Sequence, residues 1–266
     1  MINHHTDLIQ GSDEWLQARC GLLTASEMRR IFTVSTAIPC GASIKSGDPC
    51  SRSAEGGFRT CKQHRAQEET AIQHDATVKM LTDDRTRQHV WELAAQRITR
   101  YVEPHYISDD MMRGFEDEVR ARDLYSERYA PAVEAGFYTN DEWGFTIGYS
   151  PDGVVGDDGL IECKSRRQKY QVQTIAEDAV PDEYMLQIQT GLMVTGRKWL
   201  DFISYSGGLP MFVQRVLPDP EMQAAIIDAA TDFEGRVIDA IISFQDNVRA
   251  HGYCATDRVI EQEMTV

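Results

Sequence analysis

The chain has 266 residues, 42% hydrophobic and 26% charged, which is enough apolar material for one well-buried domain with an insertion, or for two small domains. No apolar run approaches the roughly 18 residues of a membrane span, so no membrane partner is expected. A formal net charge of −15 argues against binding nucleic acid by charge alone, but residues 217–266 hold ten acidic and three basic residues, so about half the excess lies in the C-terminal fifth. A local basic seam at Lys164, Arg166, Arg167 and Lys169 stands apart from it.

Met1 to Asp7 shows no basic stretch followed by an apolar one, and a cytoplasmic location is expected. The six cysteines, Cys20, Cys40, Cys50, Cys61, Cys163 and Cys254, are then expected as buried, free or metal-binding thiols.

Residues 13–19 read as a short helix capped by Ser12 and stopped at Cys20-Gly21, and a second helix opens at Thr24-Ala25-Ser26 and runs to Phe32. Residues 33–76 are rich in Gly, Ser, Pro, Cys and His and lack an amphipathic period. Cys40, Cys50 and Cys61-x-x-His64 have the look of a small zinc site, with His64 or His74 completing a tetrahedral set and Ala37 standing where a paired cysteine is expected. From Arg87 the helical period returns through Val90, Leu93, Ala94, Arg97, Ile98 and Tyr101, ending at Pro104. A helix over about 109–129 places Met112, Phe115 and Val119 on one face with Glu116 at its edge.

Val133 to Thr139 and Trp143 to Tyr149 read as a hairpin leading into Ser150-Pro151-Asp152-Gly153. The apolar pair Val154-Val155, the turn Gly156-Asp157-Asp158-Gly159 and the return through Leu160 to Lys164 predict a second hairpin. Pairing across that turn brings Asp152 and Glu162 together, with Lys164 on the face of Glu162 because side chains alternate with period two. Two carboxylates and an ammonium at one sheet edge are what a metal-dependent phosphodiesterase requires: hard oxygens for Mg²⁺ and a cation beside the nucleophile. Helices follow at 168–177 and from Pro181, the latter burying Met185, Ile188 and Leu192. Strands Trp199–Tyr205 and Met211–Val216 come next, then a long acidic helix over about 219–249 and a polar tail.

Pro151-Asp152 with Glu162-Cys163-Lys164 matches the Pro-Asp…(Asp/Glu)-x-Lys signature of the restriction-endonuclease-like nucleases. With Glu14-Trp15-Leu16-x-x-Arg19…Thr24-Ala25-Ser26 it resembles the lambda exonuclease (YqaJ) family, over residues 12–32 and roughly 87–216. The resemblance implies an α/β fold: a restriction-endonuclease-like core with a central mixed sheet flanked by helices and a Cys/His-containing insertion. The core would span 1–32 and 77–250 as one discontinuous domain, with 33–76 as the insertion and 251–266 as the tail. It implies a Mg²⁺-dependent 5′-to-3′ exonuclease acting on one strand of double-stranded DNA, with two ions and Mn²⁺ as a substitute; the insertion, with the zinc expected from its Cys and His residues, lies outside the resemblance. By the same resemblance Asp152, Glu162, the Cys163 carbonyl and Glu116 hold metal, Lys164 orients the attacking water, and Gln187 reaches the centre. Arg19, Ser26 and Ser150 seat the 5′ phosphate. A ring-shaped homotrimer, a single-strand annealing partner and a bacterial or phage-infected cytoplasm are implied as well. Two rival readings share parts of this pattern: a RecB-type or CRISPR-associated nuclease of other polarity, and a non-catalytic end-binding scaffold.

Overall fold

The computed structural model describes residues 1–35, 40–52, 59–72, 77–81, 83–104 and 108–258. In chain order these form β1 (Ile2–His5), α1 (Asp13–Arg19), β2 (Leu23–Thr24), a 3-10 turn (Ala25–Glu27), α2 (Met28–Ile31) and β3 (Phe32–Ser35). A second 3-10 segment (Lys62–Gln67), β4 (Thr77–Met80), α3 (Asp84–Thr99) and α4 (Asp109–Arg128) follow. Then come β5 (Phe137–Asn140), β6 (Ile147–Tyr149), β7 (Gly153–Val155), β8 (Gly159–Ser165), α5 (Gln168–Glu177), α6 (Asp182–Thr195), β9 (Trp199–Tyr205), β10 (Phe212–Val216) and α7 (Pro220–His251).

Local chemistry fixes the helix starts. Ser12 accepts from Trp15 N, Asp83 from Thr86 N, Ser108 from Met111 N and Asp219 from Met222 N, each satisfying a backbone donor that the helix leaves orphaned. Helix α3 ends sooner than the proline predicted: Arg100 adopts a left-handed φ of 54° and closes the last turn on Gln96 O, four residues before Pro104.

The mixed character expected of one sheet is spread over two four-stranded sheets, ordered β1-β5-β6-β2 and β10-β9-β8-β7, with β3-β4 as a separate pair. Each contains one parallel junction, β2 with β6 and β8 with β9. The first predicted hairpin shortens to β5 and β6, and Val133 bridges Val154 instead, linking that region to β7.

Strand β8 lies between two apolar layers, and its alternation sorts side chains between them. Leu160 enters the large core with Leu93, Ile188, Leu192, Phe202 and Phe233, while Ile161 and Cys163 enter a smaller one with Ala121, Tyr125 and Ile203. Glu162 and Lys164 therefore share the face of Leu160, toward α6. At Gly191 an added Cβ would lie 2.6 Å from the Tyr149 ring, so the glycine allows α6 to pack directly on β6. That close approach carries Gln187, one turn earlier, up to Glu162.

A buried ion pair joins the N-terminal segment to the helical layer. Arg97 grips Glu234 on α7 in bidentate fashion at 2.7 and 2.8 Å and donates through Nε to Gly21 O at 2.7 Å. Glu234→Ala leaves the Arg97 guanidinium with the Gly21 carbonyl but without its counter-charge. After allowance for the partial exposure of Arg97, a loss of about 2–3 kcal/mol is expected in urea unfolding. An unchanged unfolding midpoint would show that the pair does not clamp α3 to α7.

Candidate active site

The β7–β8 hairpin forms as its turn residues dictate, with Gly156 at a positive φ of 52° and the pairs Gly153↔Ile161, Val154↔Leu160 and Val155↔Gly159. One step beyond the first pair, Asp152 and Glu162 lie side by side, and Asp152 Oδ2 accepts a 2.6 Å hydrogen bond from Cys163 N. Glu162 is 1% exposed and accepts from Tyr149 Oη at 2.7 Å, Lys164 Nζ at 2.6 Å and Gln187 Nε2 at 2.6 Å. Three donors from β6, β8 and α6 thus hold both oxygens of one carboxylate.

Burial, reinforced by the charges of Glu162 and Glu118, pushes the Asp152 carboxyl well above the usual range. Burial also raises Glu118, against the pull of Arg122 and with Glu162 adding to the rise. Burial by itself would pull the Lys164 ammonium down, but the Glu162 and Asp152 carboxylates reverse that and hold it above its ordinary value. Burial drives the Tyr149 hydroxyl up, with Glu162 adding to it, so the phenol remains a proton donor to that carboxylate.

These groups line an open cleft of about 330 Å³. Its opposite wall comes from the N-terminal segment: Trp15, Arg19, Thr24 and Ser26, together with Ser150. Trp15 Nε1 donates to Ser150 Oγ at 2.7 Å, and the Arg19 guanidinium lies 4.2 Å from the Trp15 ring centroid. Among the described residues, Thr24 Oγ1 is the hydrogen-bond partner of Arg19, which leaves most of its five donors uncommitted. Ser26 is exposed at the start of the 3-10 turn, 3.3 Å from Thr24 Oγ1.

One expected residue is displaced. Glu116 is exposed and pairs with Arg120 at 3.3 Å, and the glutamate of α4 that lines the cleft is Glu118. Positions two apart on a helix point about 200° away from each other, so the choice depends on the phase of α4. The apolar face formed by Met112, Phe115 and Val119 is turned outward. Inside lie Asp117, which accepts from Ser165 Oγ at 2.6 Å, Ala121, and Tyr125, which donates to Asp201 at 2.6 Å. Periodicity could not find Glu118, because specific hydrogen bonds override hydrophobicity on this helix; the Glu118–Arg122 spacing of four residues was the available signal. Tyr149, next to the Ser-Pro-Asp turn, is a further site residue that the pattern did not reveal.

The expected basic seam is reduced. Lys164 is committed to Glu162, and Arg166, itself buried, donates to Glu183 at 2.6 Å and to the Tyr184 hydroxyl at 2.7 Å. Arg167, which precedes α5, and Lys169 in its first turn remain exposed. Away from the cleft, the donor atoms of Cys40, Cys50, Cys61 and His64 all lie within 4.8 Å of one another, a cluster that could hold a metal. His74 and Ala37 lie outside the described residues.

Asp152, Glu162 and Glu118 offer only oxygen donors, the chemistry of hard divalent cations and not of soft ones. Without a cation, the three acids share a cleft that Lys164 and Arg122 only partly neutralise. Asp152→Asn removes one of the crowded acids whose ionised form burial disfavours, and in chelator-containing buffer it should raise the melting temperature by about 2–4 °C, on the order of 1 kcal/mol. Millimolar Mg²⁺ should raise the melting temperature of the unsubstituted protein and leave that of the variant unchanged. Equal shifts with Mg²⁺ in both proteins would mean that the acids do not form a cation site.

The sequence profile of the YqaJ-like viral recombinase domain matches residues 62–198, a little over half of the chain. The structure is similar to that of an alkaline exonuclease, LHK-Exo, from Laribacter hongkongensis, with TM-score 0.66 and 26% identity over 90% of this chain and 99% of that one. The same enzyme in complex with dAMP aligns with TM-score 0.65, 26% identity and the same coverage. A phage-related exonuclease from Haemophilus somnus 129PT shares the fold, with TM-score 0.51 and 14% identity over 84% of this chain and 96% of that one. Among curated protein sequences none matches. With the matching profile, the shared fold and the acidic cleft taken together, the chain belongs to the YqaJ-like viral recombinase domain family.

Proposed function

We propose that this chain is a divalent-metal-dependent exonuclease that degrades one strand of double-stranded DNA from its 5′ end. Its product would serve phage-type homologous recombination by single-strand annealing. The observation that supports this most is the sharing of one cleft by Asp152, Glu162, Glu118 and Lys164 on one side and Trp15, Arg19 and Ser150 on the other. The 26% identity with an alkaline exonuclease over nearly all of that enzyme supports the reaction class.

In this reading Asp152, Glu162, Glu118 and the Cys163 carbonyl hold two magnesium ions, for which manganese can substitute. Bound there, the cations would lower the pKa of water and offset charge on the phosphate being displaced. Tyr149 and Gln187 hold the Glu162 oxygens in fixed directions, so that ligand needs little reorganisation. Lys164, protonated and leaning on Glu162, orients the attacking water. Arg19, desolvated and stacked on Trp15, takes the terminal phosphate with Ser26 and Ser150, which sets the 5′ polarity.

The same reading takes residues 1–32 and 77–250 as one discontinuous nuclease core, 33–76 as an inserted module with a metal of its own, and 251–266 as a tail. A ring-shaped homotrimer, a single-strand annealing protein as partner, and the cytoplasm of a bacterial or phage-infected cell complete it. Among the described residues no helix is long and apolar enough to cross a membrane.

Digestion of a blunt duplex separates this reading from its rivals. Asp152→Ala, Glu162→Ala, Lys164→Ala and Glu118→Gln should each lower the Mg²⁺-supported rate on the order of 10²-fold or more, whereas Glu116→Gln should change it less than about threefold. Full activity in Asp152→Ala or Glu162→Ala would leave an end-binding scaffold as the better reading, and loss in Glu116→Gln with activity kept in Glu118→Gln would reverse the assignment on α4.

Arg19→Ala should slow digestion of 5′-phosphorylated ends strongly and of 5′-hydroxyl ends little, because a guanidinium that pairs with a terminal phosphate has no partner when that phosphate is absent. The ratio of the two rates, in wild type and variant, is the measurement. An equal loss on both ends would make Arg19 a general backbone contact and would favour a nuclease of other polarity.

A further inference from the structure

We infer that Cys40, Cys50, Cys61 and His64 bind a single zinc ion, and that this ion is the core around which residues 40–52 and 59–72 fold. The inference stands on its own residues and does not depend on the nuclease reading, since the two sites share no side chain.

Backbone bonds bring the four ligands together. Residues 40–52 form a tight hairpin, with Cys40 N bonded to Arg52 O at 2.8 Å, Cys50 N to Ala42 O at 2.9 Å, and a bridge between Ser43 and Pro49. Side chains alternate along each arm, so Cys40 and Cys50 project from the same face of the hairpin. Gly41 then acts as a clamp: its N–H donates to Arg59 O at 2.8 Å and its carbonyl accepts from Ile72 N at 2.9 Å. A Cβ on Gly41 would lie 1.9 Å from Ile72 O, so only glycine allows this approach. The segment after Arg59 thereby delivers Cys61, and a turn with His64 N bonded to Cys61 O at 3.0 Å brings the imidazole round to it.

The interatomic distances fit one ion. His64 Nδ1 lies 3.6 Å from Cys40 Sγ and 3.5 Å from Cys61 Sγ, and Cys61 N donates to Cys40 Sγ at 3.3 Å. Zinc held tetrahedrally at about 2.3 Å from sulfur separates its ligand atoms by about 3.8 Å, and all four donors lie within 4.8 Å of one another. An iron–sulfur cluster divides its ligands among several irons and would spread them further. Three thiolates and an imidazole are the donor set of zinc and not of magnesium. Outside the ligands, Glu68 accepts from Arg59 N at 2.7 Å and from Thr60 Oγ1 at 2.5 Å, which ties the residues before Cys61 to the end of the 3-10 segment that carries His64.

Apolar burial cannot replace the ion. Among the described residues of this segment the buried apolar side chains are Cys40, Ala42, Cys50, Cys61 and Ala71, while Ile44 and Ile72 are exposed. With so little apolar area removed from water, the free energy of folding has to come from ligation.

Elemental analysis of the full chain purified without chelator tests this, with circular dichroism confirming that each variant retains its helical content. One zinc and no iron per chain is expected in the unsubstituted protein. The Cys50→Ser, Cys61→Ser double variant should hold less than about a tenth of an equivalent, and His64→Cys should keep zinc through four thiolates. A strong chelator that strips zinc from the unsubstituted protein should expose residues 40–72 to limited proteolysis at least about tenfold faster. Zinc well below one equivalent, zinc unchanged in the double variant, iron in its place, or proteolysis indifferent to zinc removal would each overturn the inference.

Discussion

Crowding of carboxylates sets the terms for this fold. Asp152, Glu162 and Glu118 converge where water is largely excluded, and such groups persist only when donors or cations surround them. Much of the tertiary structure near the cleft supplies these donors. Tyr149 comes from β6, Lys164 from β8, Gln187 from α6, and Arg122, which also holds the Asp152 carbonyl at 2.7 Å, from α4. Close packing at Gly191 and the polar inner face of α4 both serve to bring donors to acids. In the proposed function the cations complete this neutralisation, so one unfavourable charge cluster both requires the scaffold and performs the chemistry.

The N-terminal segment shows how a short, weakly structured stretch becomes part of a rigid site. Helix α1 has only seven residues and no buried side chain, too few to be stable alone. It is fixed by Trp15 on Ser150, by the Gly21 contacts of Arg97, and by β2 pairing in parallel with β6. Its arginine, held by Thr24 and Trp15, therefore lines the same cleft as the acids at a set position. In the proposed function a terminal phosphate held there would lie beside the carboxylates assigned to the chemistry, and polarity would follow from placement.

The segment containing Cys40 to Ile72 follows a different logic from the rest of the chain. The nuclease-like layers bury Leu, Ile, Phe and Tyr on both sides of β8, whereas this segment closes around sulfur. If both proposed sites bind, soft donors here and hard donors in the cleft would let one chain keep two kinds of metal apart without any shared residue.

The sequence by itself determined what rests on neighbouring residues. The Gly156 turn set the register of β7 and β8, and that register put Asp152 beside Glu162 with Lys164 on the same face. The cap at Ser12 started α1, and the Cys61-x-x-His64 spacing marked a cluster whose donors do meet. Contacts between distant segments lay beyond it. The phase of α4 was decided by Ser165 and Asp201, 48 and 76 residues away from their partners Asp117 and Tyr125, and with it Glu118 replaced Glu116. The loss of Arg166 from the basic seam was decided by Glu183 and Tyr184 on α6. Local hydrogen bonds and side-chain alternation are written in a run of residues. Which polar face a helix buries depends on partners that only the folded chain brings within reach.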